Sequence, residues 1–228
     1  MSHTCVSRLT PAAKRMAFIH GAGHTGGCWE ETVGAIRKLR PEVETFVADL
    51  PGRGGIPGDL ASLTIDACAS SVADQIRAGI EVPGGCGLTI VGHSLAGVIM
   101  AAVVNELGAE KVEQVIFVAC CVPMPGQSVI DTLPFGLRQI VRRCVARSPV
   151  IDALPFAVTR FCFGNRTTRE QRARIRANFC RESSALLTEV PVAEFPKAVR
   201  RSWVLPTHDR GLSPRTQRKF IASLGGVE

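Results

Sequence analysis

Ser94 stands in the run Leu88-Thr89-Ile90-Val91-Gly92-His93-Ser94-Leu95-Ala96-Gly97, where a short apolar segment meets a hydroxyl flanked by small residues. A serine hydroxyl attacks poorly unless it is held in the open, beside a base, with backbone N–H groups facing the oxyanion it creates. A strand thrown sharply into a helix supplies that exposure, and it crowds its own backbone, so small residues must surround the nucleophile. Gly92 meets this need before Ser94. After it the G-x-S-x-G pattern asks for glycine at 96, where this chain has Ala96 followed by Gly97. The competing reading is a strand followed by an ordinary helix that Ser94 merely caps.

A second motif weighs against that competitor. The run Met16-Ala17-Phe18-Ile19-His20-Gly21-Ala22-Gly23-His24-Thr25-Gly26-Gly27-Cys28-Trp29 is an apolar strand entering a loop rich enough in glycine to bring backbone against a ligand. An oxyanion hole takes one amide from the residue after the nucleophile and another from a loop of this kind, which assigns Leu95 and Ala22. His24 and His93 lie beside the predicted pocket, with loop-holding and packing as their alternative roles, and His20 ends the strand.

Together the two motifs resemble the α/β-hydrolase superfamily, and more narrowly its small methylesterase and hydroxynitrile lyase-like branch. The likeness continues through Val47-Ala48-Asp49-Leu50-Pro51-Gly52-Arg53-Gly54, through Val118 to Ser128 at the entry to a cap, and through Trp203 to Pro214 around an acid loop. It spans residues 16 to 224 and is weakest across the cap. It implies a serine nucleophile at Ser94 and, at Asp209, the acid that orients a histidine base. In this superfamily the base follows the acid, on a loop after a further strand. The five histidines here are His3, His20, His24, His93 and His208, and none lies beyond Asp209. The expectation is therefore a chain truncated before its last strand, base loop and terminal helix, with impaired hydrolysis, since triad members act as a unit. His208 adjoins Asp209, and neighbouring side chains of an extended segment diverge. His24 is the better substitute base.

These motifs need a scaffold, and the pattern supplies one. Strands near 16–20, 43–48, 87–92 and 113–119 alternate with helices near 29–39, 64–80 and 95–107. That alternation predicts an α/β fold with a parallel sheet and helices on both faces. Residues 1–15 lack acidic residues and periodicity and read as a disordered leader. Residues 16–122 and 201–228 form the expected hydrolase core. Residues 123–200 break the alternation with several prolines and read as a helical cap inserted after the strand that follows the nucleophile helix. Within it, Phe135, Leu154, Phe156, Phe161, Phe163 and Leu187 are candidates for an apolar pocket, with cap core as the competing role. Losing a final strand leaves the segment near Ser202–Leu205 as an uncovered edge, which invites pairing into a homodimer.

Composition narrows the classes. With 46% hydrophobic and 21% charged residues the 228-residue chain is globular, and no apolar run reaches the roughly 18 residues of a membrane span. Nine scattered cysteines without a C-x-x-C pair indicate neither a disulfide framework nor a metal site, and fit a reducing cytoplasm. The net charge of +7 gathers on arginines such as Arg166, Arg169, Arg172, Arg174, Arg176 and Arg181, spaced as the solvated face of an amphipathic helix. Without a tyrosine and with little aromatic interleaving, a nucleic-acid partner is not indicated. The leading expectation is a cofactor-free serine esterase of a small-molecule carboxylic ester. A noncatalytic fold-mate that binds a small apolar ligand, and a hydroxynitrile lyase-like enzyme, are the alternatives.

Overall fold

The computed structural model describes residues 14–81, 87–133, 135–152, 160–162 and 164–227. Its central sheet uses β1 (Arg15–Ile19), β2 (Glu44–Ala48), β3 (Leu88–His93), β4 (Val112–Val118) and, after a long insertion, β7 (Arg200–Val204). All neighbours run parallel, in the order β2-β1-β3-β4-β7. The order reverses between β1 and β3. In an open parallel sheet, chains leaving adjacent strands in opposite directions open a crevice at the carboxyl ends, and ligands bind there.

Three helices lie between the early strands: α1 (Glu30–Leu39), α2 (Ile65–Gly79) and α3 (Met100–Leu107). Each reads from its sequence. Thr64 caps α2 by accepting the Ala67 amide, and Cys68, Ala69, Val72, Ala73 and Ile76 form its buried face at helical spacing. That face packs with α3 against Ile90, Val115 and Phe117, and each fully buried side chain of this size stabilises the fold by about 1.5–3 kcal/mol. On the opposite face Phe18, Trp29, Val33 and Val91 form a smaller cluster under α1. There the sheet is less completely covered. Ile116 and Val118 are only part-buried, and Val204 is 51% exposed on β7.

The expected elements are present with shifted ends. Arg15, assigned by sequence to the leader, opens β1 and pairs with Glu44 and Leu88. The helix expected at 29–39 is a 3-10 turn (Gly26–Trp29) followed by α1, and the one expected at 95–107 is a 3-10 turn (Ser94–Val98) followed by α3. Both turns lie where the chain leaves a strand at the crevice. Close backbone approach there favours the tighter 3-10 geometry over a full α-turn.

Residues 123–200 hold α4 (Val129–Thr132), α5 (Phe135–Arg147), β5 (Val150–Ile151), α6 (Arg169–Ala177), β6 (Glu182–Ser183) and α7 (Ala185–Thr188), with β5 and β6 paired antiparallel. Capping boxes start α4 at Ser128 with Asp131, and α6 at Thr168 with Gln171. No residue of the arginine-rich α6 is fully buried, so its solvated face is wider than the amphipathic pattern suggests. Of the pocket candidates, Phe135 and Phe161 are 76% and 63% exposed, and Leu187 packs against the sheet core. Leu154, Phe156 and Phe163 lie outside the described residues. After β7 comes α8 (Pro214–Leu224), capped by Ser213 accepting the Thr216 amide. Among the described residues the outer edge of β7 meets the chain again at one place, a parallel bridge between Arg201 and Val227. No helix among the described residues is long and apolar enough to cross a membrane.

Candidate functional site

Ser94 leaves β3 with φ at +51°, in the left-handed region. For a residue with a side chain that conformation costs about 1–2 kcal/mol and persists only where its surroundings over-determine it. They do so here. The Ser94 carbonyl accepts the Cys121 amide at 2.8 Å, and the Cys120 thiol donates to the Gly92 carbonyl at 3.0 Å. A Cβ on Gly92 would lie 2.2 Å from Met100 Sδ, and one on Gly97 would lie 2.3 Å from the Cys121 carbonyl oxygen. The crowding that the motif expects at 96 therefore falls at 97, and Ala96 fits fully buried beside it. Leu95 belongs to the first turn after the strand, whose N–H groups have no preceding helical carbonyl to pair with.

The loop after β1 passes directly over the elbow. A Cβ on Gly21 would stand 2.8 Å from Ser94 Cβ and 2.9 Å from His93 Nδ1, so only glycine allows this approach. Ala22 follows immediately. The loop is pinned along its length: His24 Nδ1 donates to the Ala22 carbonyl at 2.7 Å, the Gly26 amide donates to Asp49 Oδ1 at 2.6 Å, and the Cys180 amide donates to the Gly23 carbonyl at 2.8 Å. The Gly23 amide donates to Glu182 Oε2 at 2.9 Å.

Three histidines surround this crossing, and burial keeps each of them neutral. His20 is fully buried; its Nδ1–H donates to the Gly21 carbonyl while Nε2 accepts the Leu50 amide at 3.0 Å, a pair of bonds only the neutral ring can make. Desolvation holds its pKa down to about 4, so Asp49 Oδ1 at 3.5 Å faces an uncharged ring. His93 is likewise held to about 4 by desolvation, and its ring meets those of His24 and Trp29 edge-on at 6.1 and 6.2 Å. Burial lowers His24 as well, against the bond to Ala22 that raises it. The His24 ring lies 4.5 Å from that of Phe179 in the inserted segment.

Asp209 lies on the loop between β7 and α8, at the same carboxyl edge as Ser94. β4 separates the strands that carry them, so strand spacing alone sets the two loops about 10 Å apart. Oδ1 of Asp209 accepts the Gly211 and Leu212 amides at 2.8 and 2.9 Å, and Oδ2 accepts Gln217 Nε2 at 3.1 Å. Gln217 is itself fully buried, gives a second bond to the Leu212 carbonyl and accepts Trp203 Nε1 at 3.0 Å. Three of the roughly four acceptor positions of a carboxylate are thus occupied. Among the described residues Asp209 makes no bond to a histidine, and Ser94 Oγ has no hydrogen-bond partner. His208 points elsewhere, its Nδ1 sharing a 3.0 Å bond with Thr207 Oγ1. A cavity of about 780 Å³ adjoins Asp209, lined by Arg160, Arg166, Arg172, His208 and Arg210 among others. A second, of about 600 Å³, is lined by His24 and residues of α1 and α6.

The geometry thus brings together Ser94, Leu95, Ala22, His24 and His93, and sets Asp209 on a neighbouring loop. Sequence reasoning passed over Glu182, which meets Arg53 in a buried ion pair, and Gln217, which fixes Asp209. Arg53 stood inside a quoted motif. Glu182 and Gln217 carried no local signal, because their partners are brought to them by the fold.

Residues 16–228 match a family model described as the alpha/beta hydrolase family. The rice (Oryza sativa subsp. indica) protein named Probable esterase PIR7A is 29% identical over 133 residues, covering 58% of this chain and 48% of its own length. Methylesterase 18 of Arabidopsis thaliana is 27% identical over 149 residues, 65% of this chain and 52% of that protein. The chain spans about half the length of the curated relatives it matches. Among solved structures, an extracellular alpha/beta-hydrolase from a Paenibacillus species superposes with a TM-score of 0.75 at 22% identity, covering 93% of this chain and 86% of that one. Polyneuridine aldehyde esterase superposes with a TM-score of 0.71 at 14% identity, over 94% and 89%.

Proposed function

Because this chain belongs to the α/β-hydrolase family, we propose that it is a serine hydrolase of small carboxylic esters that works through an acyl-enzyme at Ser94. The observation that carries this reading is the left-handed Ser94 held beneath Gly21 at the topological switch point of the sheet. In that reading Ser94 Oγ attacks the ester carbonyl, and the Leu95 and Ala22 amides receive the oxyanion. Residues 123–200 act as the cap that shapes the acyl pocket. Asp209 is the acid. An ester substrate accords with the relatives, which are named as an esterase and a methylesterase.

The base is the weak point of this chemistry. None of the five histidines follows Asp209, and His24, the nearest substitute, has its Nδ1 committed to Ala22 and its ring lodged against Phe179. Proton removal from Ser94 is therefore expected to be slow, and with it a turnover that still passes through the Ser94 hydroxyl.

The test is hydrolysis of p-nitrophenyl acetate by the purified chain beside Ser94→Ala, with mass spectrometry for an adduct on Ser94 after fluorophosphonate treatment. Turnover and an adduct that both vanish in Ser94→Ala are the expected result. Equal rates in the two proteins, with no adduct, would leave the noncatalytic ligand-binding reading, whose signature is ligand-dependent thermal stabilisation that Ser94→Ala does not alter.

A further inference from the structure

We infer that Glu182, from the inserted segment, is the positioning residue of the oxyanion loop, so that the hole exists only while that segment is seated on the sheet. The inference rests on the serine-hydrolase reading above. Its basis is a junction of three chain segments. The Gly23 amide, one residue beyond the assigned donor Ala22, gives its hydrogen to Glu182 Oε2 at 2.9 Å. The carbonyl of the same residue takes the Cys180 amide at 2.8 Å, so β6 and its approach grip Gly23 on both sides. Gly23 has φ at +62°, and a Cβ there would lie 3.2 Å from the Cys180 carbonyl, so the loop reaches this grip only through a glycine. The Cys180 thiol also meets the His24 carbonyl at 3.4 Å.

The other carboxylate oxygen of Glu182 accepts the Ser183 amide at 2.7 Å and the Arg53 guanidinium, which comes from the turn after β2. The two side chains are 7% and 1% exposed. Burial pushes the Glu182 carboxyl up, while Arg53 and the two amides oppose the shift. Arg53 Nε and Nη1 find no hydrogen-bond partner among the described residues, so Glu182 is the anchor that Arg53 meets there. A buried pair with orphaned donors is poor value as a stabiliser, because apolar residues of the same volume would serve the fold as well. What such residues could not do is fix the direction of the Gly23 amide, and with it the Ala22–Gly23 peptide, the next along the chain from the one that carries the Ala22 N–H.

The experiment compares Glu182→Gln with the double variant Arg53→Met/Glu182→Met, which leaves no lone buried charge and so guards against simple misfolding. Hydrogen exchange at residues 22–24, the thermal midpoint, and kcat and KM for p-nitrophenyl acetate are read for each. In the double variant, exchange at Gly23 is expected to rise at least ~10-fold while amides of β3 and α2 keep their protection, and kcat to fall about 100-fold with KM little changed, the penalty of a misplaced oxyanion donor. Glu182→Gln keeps one acceptor oxygen, which serves Gly23 only with its NH2 turned toward the Arg53 and Ser183 donors, so both quantities are expected to fall between those of the parent and the double variant. Unchanged Gly23 exchange in the double variant overturns the inference. So does a rise spread evenly over the sheet with a matching drop in midpoint, which marks a purely structural pair. If the parent shows no Ser94-dependent turnover, the hydrolase reading fails on that ground alone, and Gly23 exchange still decides the role of Glu182.

Discussion

The two halves of the crevice are built differently. On the Ser94 side, loops after adjacent strands β1 and β3 cross at van der Waals distance, with a side-chain or main-chain bond at nearly every residue from His20 to Gly26. On the Asp209 side, the loop after β7 sits at the last strand of the sheet, and His208 and Arg210 beside Asp209 are exposed. Its carboxylate is held by its own turn and by one buried glutamine. The contrast teaches where rigidity comes from: a strand flanked on both sides fixes the loop at its end, whereas an edge strand needs a dedicated side chain to do so.

The largest test of this contrast is Gly97→Ala. Its new methyl would meet the Cys121 carbonyl at 2.3 Å, and overpacking of this kind costs about 1–3 kcal/mol or more, to be read from urea denaturation midpoints. A comparable loss is expected on acidification. His20 and His93 have folded pKa values near 4 against an ordinary 6.5, so below pH 6.5 the unfolded chain takes up protons that the folded one refuses. Stability therefore falls as the pH drops from about 6.5 to about 4, is fully present above that window, and loses a few kcal/mol across it. Denaturation at a series of pH values reads the slope directly.

On the Asp209 side Gln217→Leu leaves Trp203 Nε1 and Asp209 Oδ2 unpaired, at a cost of about 1–3 kcal/mol. Trp203 fluorescence should shift while exchange at residues 20–26 stays as in the parent; a change there would show that the halves are coupled. The smallest effect is expected from Arg174→Ala. It breaks an ion pair with Glu31 between α6 and α1 whose side chains are 62% and 67% exposed, so stability should move by no more than about 0.5 kcal/mol.

The same contrast explains what could be read from the sequence. Ser94, Gly92, Gly21 and Ala22 announce themselves because the chemistry of the elbow and its loop is written in consecutive residues. The alternation of strands and helices gave the parallel sheet for the same reason. Glu182 and Gln217 were silent. Glu182 meets Gly23 across 159 residues of chain and Arg53 across 129, and nothing in either neighbourhood marks the meeting. Gln217 reads as one more polar residue on a basic helix, and only the packing of α8 against Trp203 turns it inward. The tight approach at Gly97 in place of 96 was likewise invisible, since it depends on where the Cys121 carbonyl lies.

The thiols flanking the elbow have a practical corollary. Cys120 and Cys121 are buried, with burial pushing Cys121 to about 12 and Cys120 higher still, so neither supplies thiolate to an alkylating reagent near neutral pH. Cys144, on α5, is exposed to solvent. A dye-linked iodoacetamide should therefore tag Cys144 ahead of the two thiols beside Ser94, leaving the Cys120 bond to the Gly92 carbonyl in place.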